Sequence, residues 1–151
     1  MDRGYDSKSV FEMVQIHGMN YIIRSEGKMS LIVNCEEHRF RQVAKSVKLE
    51  YQFQKEDSDQ YLKCGAQKVS VRLNPYPVKN PETLETWLIV AQPSPDKRGR
   101  EGYFYLFCDF PSEPNLSVPE LINKALKMYH QRWKIEEMHR HLKQEYGWEK
   151  I

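Results

Sequence analysis

Apolar positions recur along this chain with two periods, and the change between them divides it into three stretches. In "SKSVFEMVQIH", residues 7–17, Val10, Phe11, Val14 and Ile16 fall on a roughly helical period. Ser9 and Glu12 stand at capping-box spacing and Gly18 follows as a stop, which predicts one short helix. "YIIR", residues 21–24, then reads as a strand, giving the helix–strand opening of an α/β layer. From residue 28 to about 110 the period shortens toward two. The runs "MSLIVN", "KLEYQF", "KVSVRL", "TWLIVAQ" and "YFYLFCDF" are strand-like, and Val69, Val71 and Leu73 alternate with Ser70 and Arg72. Between them "NPYPVKNPET" and "QPSPDKRGREG" carry the Pro and Gly that interrupt regular structure. The end returns to helix: in "SVPE", residues 117–120, Ser117 is the expected N-cap, Glu120 completes the capping box and Pro119 sits where a first turn tolerates it. The helix that follows has room for about 28 residues before Gly147, beyond the common range, so it must lie across a large body or bend.

That last helix carries an unusual stripe. At 100° per residue, Tyr129, Arg132, Glu136 and Lys143 share an arc of roughly 60°. Ile135, Met138, Leu142 and Tyr146 form a separate apolar stripe about 100° away that can dock the helix, leaving the polar stripe along the edge of that contact. A ring, a guanidinium, a carboxylate and an ammonium in line suit a phosphate chain and a cation better than a protein core. Arg132 can grip a phosphate through its forked donors, Lys143 can act as a point charge, and Tyr129 offers a hydroxyl to a phosphate oxygen or a face to a base. Lys143 lies about 10.5 Å from Glu136 along the axis at 1.5 Å per residue, a reach of one to two nucleotides.

Composition narrows the classes without choosing among them. A chain of 151 residues is one ordinary domain or a piece of something larger, and 40% hydrophobic with 12% aromatic residues excludes a disordered protein. No run of 18 apolar residues and no apolar amino-terminal signal region is present, so neither a membrane span nor export is supported, and a cytoplasmic setting is expected. A net charge of +2 is a weak pull toward polyanions. Cys35, Cys64 and Cys108 are odd in number with no CxxC pair, which favours reduced, half-buried thiols over a zinc site.

Two places resemble a known family. Tyr129-x2-Arg132-x3-Glu136-x6-Lys143, within "YHQRWKIEEMHRHLK", looks like the Tyr-Arg-Glu-Lys signature of the DDE transposases of bacterial insertion sequences, in the large family numbered four. "DRGYD", residues 2–6, with its following helix and "YIIR" strand, is similar to the segment holding the second catalytic Asp of those enzymes. The resemblance spans essentially the whole chain. It implies an α/β fold: a partial ribonuclease H-like core over residues 1–26, a β-rich insertion over 27–112, and the core's catalytic-Glu helix over 113–151, ending in a long helix. By position Asp2 matches the second Asp and Glu136 the Glu of the triad, both binding divalent metal, with Mg2+ expected and Mn2+ as the alternative. The implied chemistry is hydrolysis at the element's 3′ end, then attack of that hydroxyl on target DNA. The implied partners are double-stranded DNA, at element ends and target, and a second copy in the intact parent, with the protein cytoplasmic and nucleoid-associated when bound. The family's first Asp has no counterpart here, and Asp6 reads as a helix-start residue, so the chain looks like the carboxyl-proximal part of a transposase that lacks activity alone.

Several residues keep two readings. Arg140 either extends the phosphate track or pairs with Glu136 or Glu137. Trp133, beside the stripe, reads as a packing anchor ahead of a base-stacking platform. The loop "DKRGRE" is a DNA-backbone contact or a solvated hairpin tip. Tyr103, Phe104 and Tyr105 alternate faces with one face in the core, and the resemblance implies an aromatic of the insertion that stacks on a displaced base, for which Phe104 is the candidate. The competing functional reading is a non-catalytic remnant that binds DNA or pairs with full-length transposase.

Overall fold

In the computed structural model the described residues are 8–54, 61–73, 82–93 and 102–131. They form α1 (Lys8–His17), β1 (Tyr21–Ser25), β2 (Leu31–Val33), β3 (Glu36–His38), α2 (Phe40–Ser46), β4 (Tyr51–Gln54), β5 (Tyr61–Arg72), β6 (Thr83–Pro93) and β7 (Phe104–Asp109). A third helix, α3, begins at residue 118 and is described through 131. The seven strands make one antiparallel sheet in the order β1-β7-β6-β5-β2-β3. The long β5 takes two partners on its outer side, β4 against its first residues and β2 at Ser70.

Helices cover both faces of the sheet. On one face Phe11 of α1 and Phe40, Val43 and Ala44 of α2 pack with Ile23, Leu88, Val90 and Phe107. On the other, Leu121, Ile122, Ala125 and Leu126 of α3 pack with Leu62, Cys64, Ile89, Leu106 and Cys108. Central strands β6 and β7 are therefore apolar at successive positions, because consecutive side chains of a strand enter opposite cores. At about 25 cal/mol per Å2, full burial of each Leu, Ile or Phe here contributes roughly 1.5–3 kcal/mol. Strand β5 changes its buried side along its length. Leu62 and Cys64 face the α3 core, whereas Val69 and Val71 face the α1/α2 core. Gly65, between them, permits a close approach: an added Cβ would overlap the Lys48 carbonyl oxygen and lie 2.9 Å from Val47 Cγ1.

This is the α/β class the sequence led us to expect, consistent with a partial ribonuclease H-like core. Each expected strand run contains a strand, and Val69, Val71 and Leu73 are buried as their alternation requires. Ser117 caps α3 as expected: its hydroxyl accepts the Glu120 amide at 3.4 Å and donates to the Glu120 carboxylate at 2.8 Å. Gly18 follows α1 with φ +58, a stop conformation that suits glycine.

Four details differ. Ser9 lies inside α1 rather than capping it, since Lys8 is already helical. Helix α2 interrupts the stretch read as all strand, and β3 pairs with β2 where no strand was expected. The turn that brings β3 back has Asn34 and Cys35 at φ 53 and 64, the two successive positive values of a tight hairpin turn. Finally, both faces of the aromatic run are core-facing: Phe104 joins the α3 side, and Tyr105 the α1/α2 side against Phe40 at 4.8 Å.

Candidate nucleic-acid interface

The face of α3 that buries Leu121, Ile122, Ala125 and Leu126 reaches Tyr129 on the same period, eight, seven, four and three residues on. Tyr129 therefore continues the docking face of the helix instead of flanking it. By then α3 has run to the end of the sheet where β7 begins. There the ring of Tyr129 stacks on Phe104, with centroids 6.0 Å apart and planes 27° from parallel.

The third member is Arg24 of β1. Alternation in β1 sends Ile23 into the α1/α2 core and Arg24 to the α3 side, and the register sets Arg24 opposite Leu106, two residues along β7 from Phe104. Its guanidinium lies 5.6 Å from the Phe104 centroid and 6.0 Å from that of Tyr129, within cation–π range. Its Nη1 donates to the Tyr129 hydroxyl at 2.7 Å. As acceptor of that bond the phenol keeps its own O–H, so an arriving phosphate meets a hydroxyl donor and the remaining guanidinium donors together. Arg24, Phe104, Tyr129 and His130 line a cleft of about 220 Å3 with Phe53, Leu62 and Leu126 as its apolar floor. A ring pair, a fork of donors and an apolar floor suit a nucleotide: a base for the rings, a phosphate for the cation.

Of the residues expected at the site, the structure brings together Phe104 and Tyr129. Asp2, Arg132, Glu136, Arg140 and Lys143 lie outside the described residues, as do Trp133 and the loop "DKRGRE". Arg24 was missed, although a lone arginine closing the apolar run "YIIR" was the available signal. Among the described residues no group of three or more His, Cys, Asp or Glu could hold a metal ion. The thiols are placed as structural groups: burial raises the Cys108 pKa and pushes that of Cys64 up to about 11, while Cys35 is exposed on its turn. Burial likewise raises the Tyr21 phenol, whose O–H donates to Thr86 Oγ1 at 2.7 Å, and Thr86 donates on to the Cys108 carbonyl at 3.2 Å. Among the described residues no helix is long and apolar enough to cross a membrane.

A helix-flanked antiparallel sheet that presents a cation and stacked rings at one end defines the class as α/β. The chain belongs to the transposase DDE domain family, which matches it over residues 1–151. Neither a curated protein nor a solved structure matches it. Membership makes this a transposase domain, and domains of this family act on DNA and generally use divalent metal ions.

Proposed function

We propose that the chain is the carboxyl-proximal part of a transposase catalytic domain of the family-four kind, whose parent cleaves phosphodiester bonds at element ends and transfers the 3′ hydroxyl to target DNA. The observation that carries the reading is the setting of Tyr129. The first residue of the Tyr-Arg-Glu-Lys stripe is held by Arg24 and Phe104 at a cleft fit for a nucleotide. In this reading residues 1–26 and 113–151 belong to the core and 27–112 are the insertion. Arg132 and Lys143 grip phosphates of the element end, Arg140 extends that track, and Phe104 with Tyr129 receives a displaced base. Asp2 and Glu136 hold the cations. Their carboxylates are the hard oxygen donors that Mg2+ or Mn2+ requires, and such ions, when bound, supply charge to the attacking and leaving oxygens. The intact parent works as a homodimer, cytoplasmic and nucleoid-associated when bound to DNA.

The test supplies the first Asp strand as a separate polypeptide and measures nicking of supercoiled plasmid with Mg2+. The pair is expected to nick, and Glu136→Gln to abolish nicking while leaving DNA binding intact. Equal nicking by Glu136→Gln and the unsubstituted chain would remove the catalytic assignment.

A second reading, a non-catalytic DNA-binding remnant, is favoured by one feature: the Arg24–Phe104–Tyr129 cluster can hold a nucleotide without any carboxylate. It predicts a salt-dependent gel shift that survives Glu136→Gln and weakens in Arg132→Ala with Lys143→Ala, with no nicking under any metal.

A further inference from the structure

The Tyr129 cleft does not stand alone. Next to it, a second cleft of about 390 Å3 is lined by Arg24, Lys28 and residues Tyr103, Phe104 and Tyr105. Next to that, a third of about 480 Å3 has Tyr103 and Tyr105 on one wall and Arg41 and Lys45 of α2 on the other, over Val47 and Leu49. Each shares residues with its neighbour: Arg24 and Phe104 join the first two, Tyr103 and Tyr105 the last two. Together they make a band around the start of β7, from the α3 side of the sheet to the α2 side.

The charge on this band is one-sided. Among the described residues, Arg24, Lys28, Arg41 and Lys45 face a single carboxylate, Glu26, which already pairs with Lys28 at 3.2 Å. Between Glu37 and Glu50 the chain carries Arg39, Arg41, Lys45 and Lys48 and no acid, although its net charge is only +2. Arg41 and Lys45 are exposed, four residues apart on one side of α2. Tyr103 is 49% exposed, just ahead of β7, and lines the same two clefts as Tyr105. Cations alternating with rings along a groove, one of them, Tyr103, open to solvent, are the arrangement that binds nucleic-acid single strands, whose unpaired bases offer their faces for stacking. A duplex hides those faces.

We propose that this band is a path for single-stranded DNA, leading a strand from the Tyr129 cleft over the edge of the sheet to the α2 face, with Arg41 and Lys45 on its phosphates and Tyr103 under a base. The proposal rests on the reading that a DNA end lies at the Tyr129 cleft, and extends it to residues on the opposite side of the sheet.

The test is fluorescence anisotropy of a labelled oligothymidylate with the full chain in EDTA, across a salt series. The chain is expected to bind the single strand more tightly than a duplex of equal length. Arg41→Glu with Lys45→Glu should weaken binding about tenfold and lower the salt slope by about 1.4, two contacts at about 0.7 each. Tyr103→Ala should weaken it about tenfold through lost stacking. Lys68→Glu with Lys127→Glu, the same charge change on exposed residues that line none of the three clefts, should leave binding unchanged. All the substituted groups are solvent-exposed, and matched melting temperatures verify that the variants fold. Absence of binding, preference for duplex, equal loss in the control pair, or displacement by polyglutamate as readily as by unlabelled oligonucleotide would each overturn the path. Because the readout needs no metal and no cleavage, failure of the nicking test leaves this one intact, and the converse holds.

Discussion

Removing the Tyr129 hydroxyl isolates the bond on which the candidate site is built. Tyr129→Phe keeps the ring on Phe104 and deletes only the acceptor that takes Arg24 Nη1 at 2.7 Å. A hydrogen bond to a charged group contributes about 1.5–3 kcal/mol, and the partial exposure of both partners puts this one at the lower end. The guanidinium retains water as an alternative partner, so the net loss in Tyr129→Phe should be about 1 kcal/mol. Arg24→Met keeps the aliphatic stem and removes the charge, costing that bond and also its cation–π contacts with both rings, about 0.5–1 kcal/mol. In the double variant the hydroxyl–guanidinium term is lost once rather than twice, so a double-mutant cycle should return a coupling of about 1 kcal/mol. Urea unfolding followed by tryptophan fluorescence measures it, provided the slopes of the four transitions agree. A coupling below about 0.3 kcal/mol, within ordinary additivity, would refute the bond as a determinant of the site.

Other consequences are as specific. Gly65→Ala forces a methyl into the Lys48 carbonyl, so the link between α2 and β4 must shift; a loss of about 3 kcal/mol, at the upper end of overpacking costs, is expected in urea unfolding, and a loss under about 1 would mean the link yields freely. Of the three thiols, only the exposed Cys35 should react with a thiol reagent in the native protein at neutral pH, with Cys64 and Cys108 reacting after denaturation. The folded chain holds the Cys64 proton to about pH 11, whereas the unfolded thiol releases it from about pH 9. Stability contributed there is complete below pH 9 and falls as pH rises toward 11, so the urea midpoint should drop over that interval, and Cys64→Ala should flatten the drop.

What the sequence disclosed follows from how local each signal is. Alternation at Val69, Val71 and Leu73 is written within one strand and needs no partner to be read, and the Ser117–Glu120 cap is written in four residues. Strand β3 is three polar residues, "EEH", with no pattern of its own; it exists because the turn at Asn34 and Cys35 folds it back on β2. Helix α2 was legible, since Phe40, Val43, Ala44 and Val47 recur at helical spacing, yet its brevity between strand-like runs concealed it. The beginning of β5, "YLKCGAQ", looks unlike a strand until β4 and β6 pair with it and Lys48 closes over its glycine. At the site, the stripe and the family resemblance named Tyr129 and Phe104. Arg24 was marked only by its place at the end of "YIIR", because the pairing of β1 with β7, some 80 residues away, is what brings it to them.

That pairing, together with helices from opposite ends of the chain on opposite faces of β6 and β7, bears on how the protein is born. As the polypeptide leaves the ribosome, β1 has no strand partner among the described residues until β7 emerges, and one side of the two most oily strands stays wet until Leu126 follows. Contacts so distant in sequence make for slow closure. The nascent intermediate therefore shows chaperones and proteases a bare sheet, and cellular abundance should depend on how quickly translation delivers the last helix.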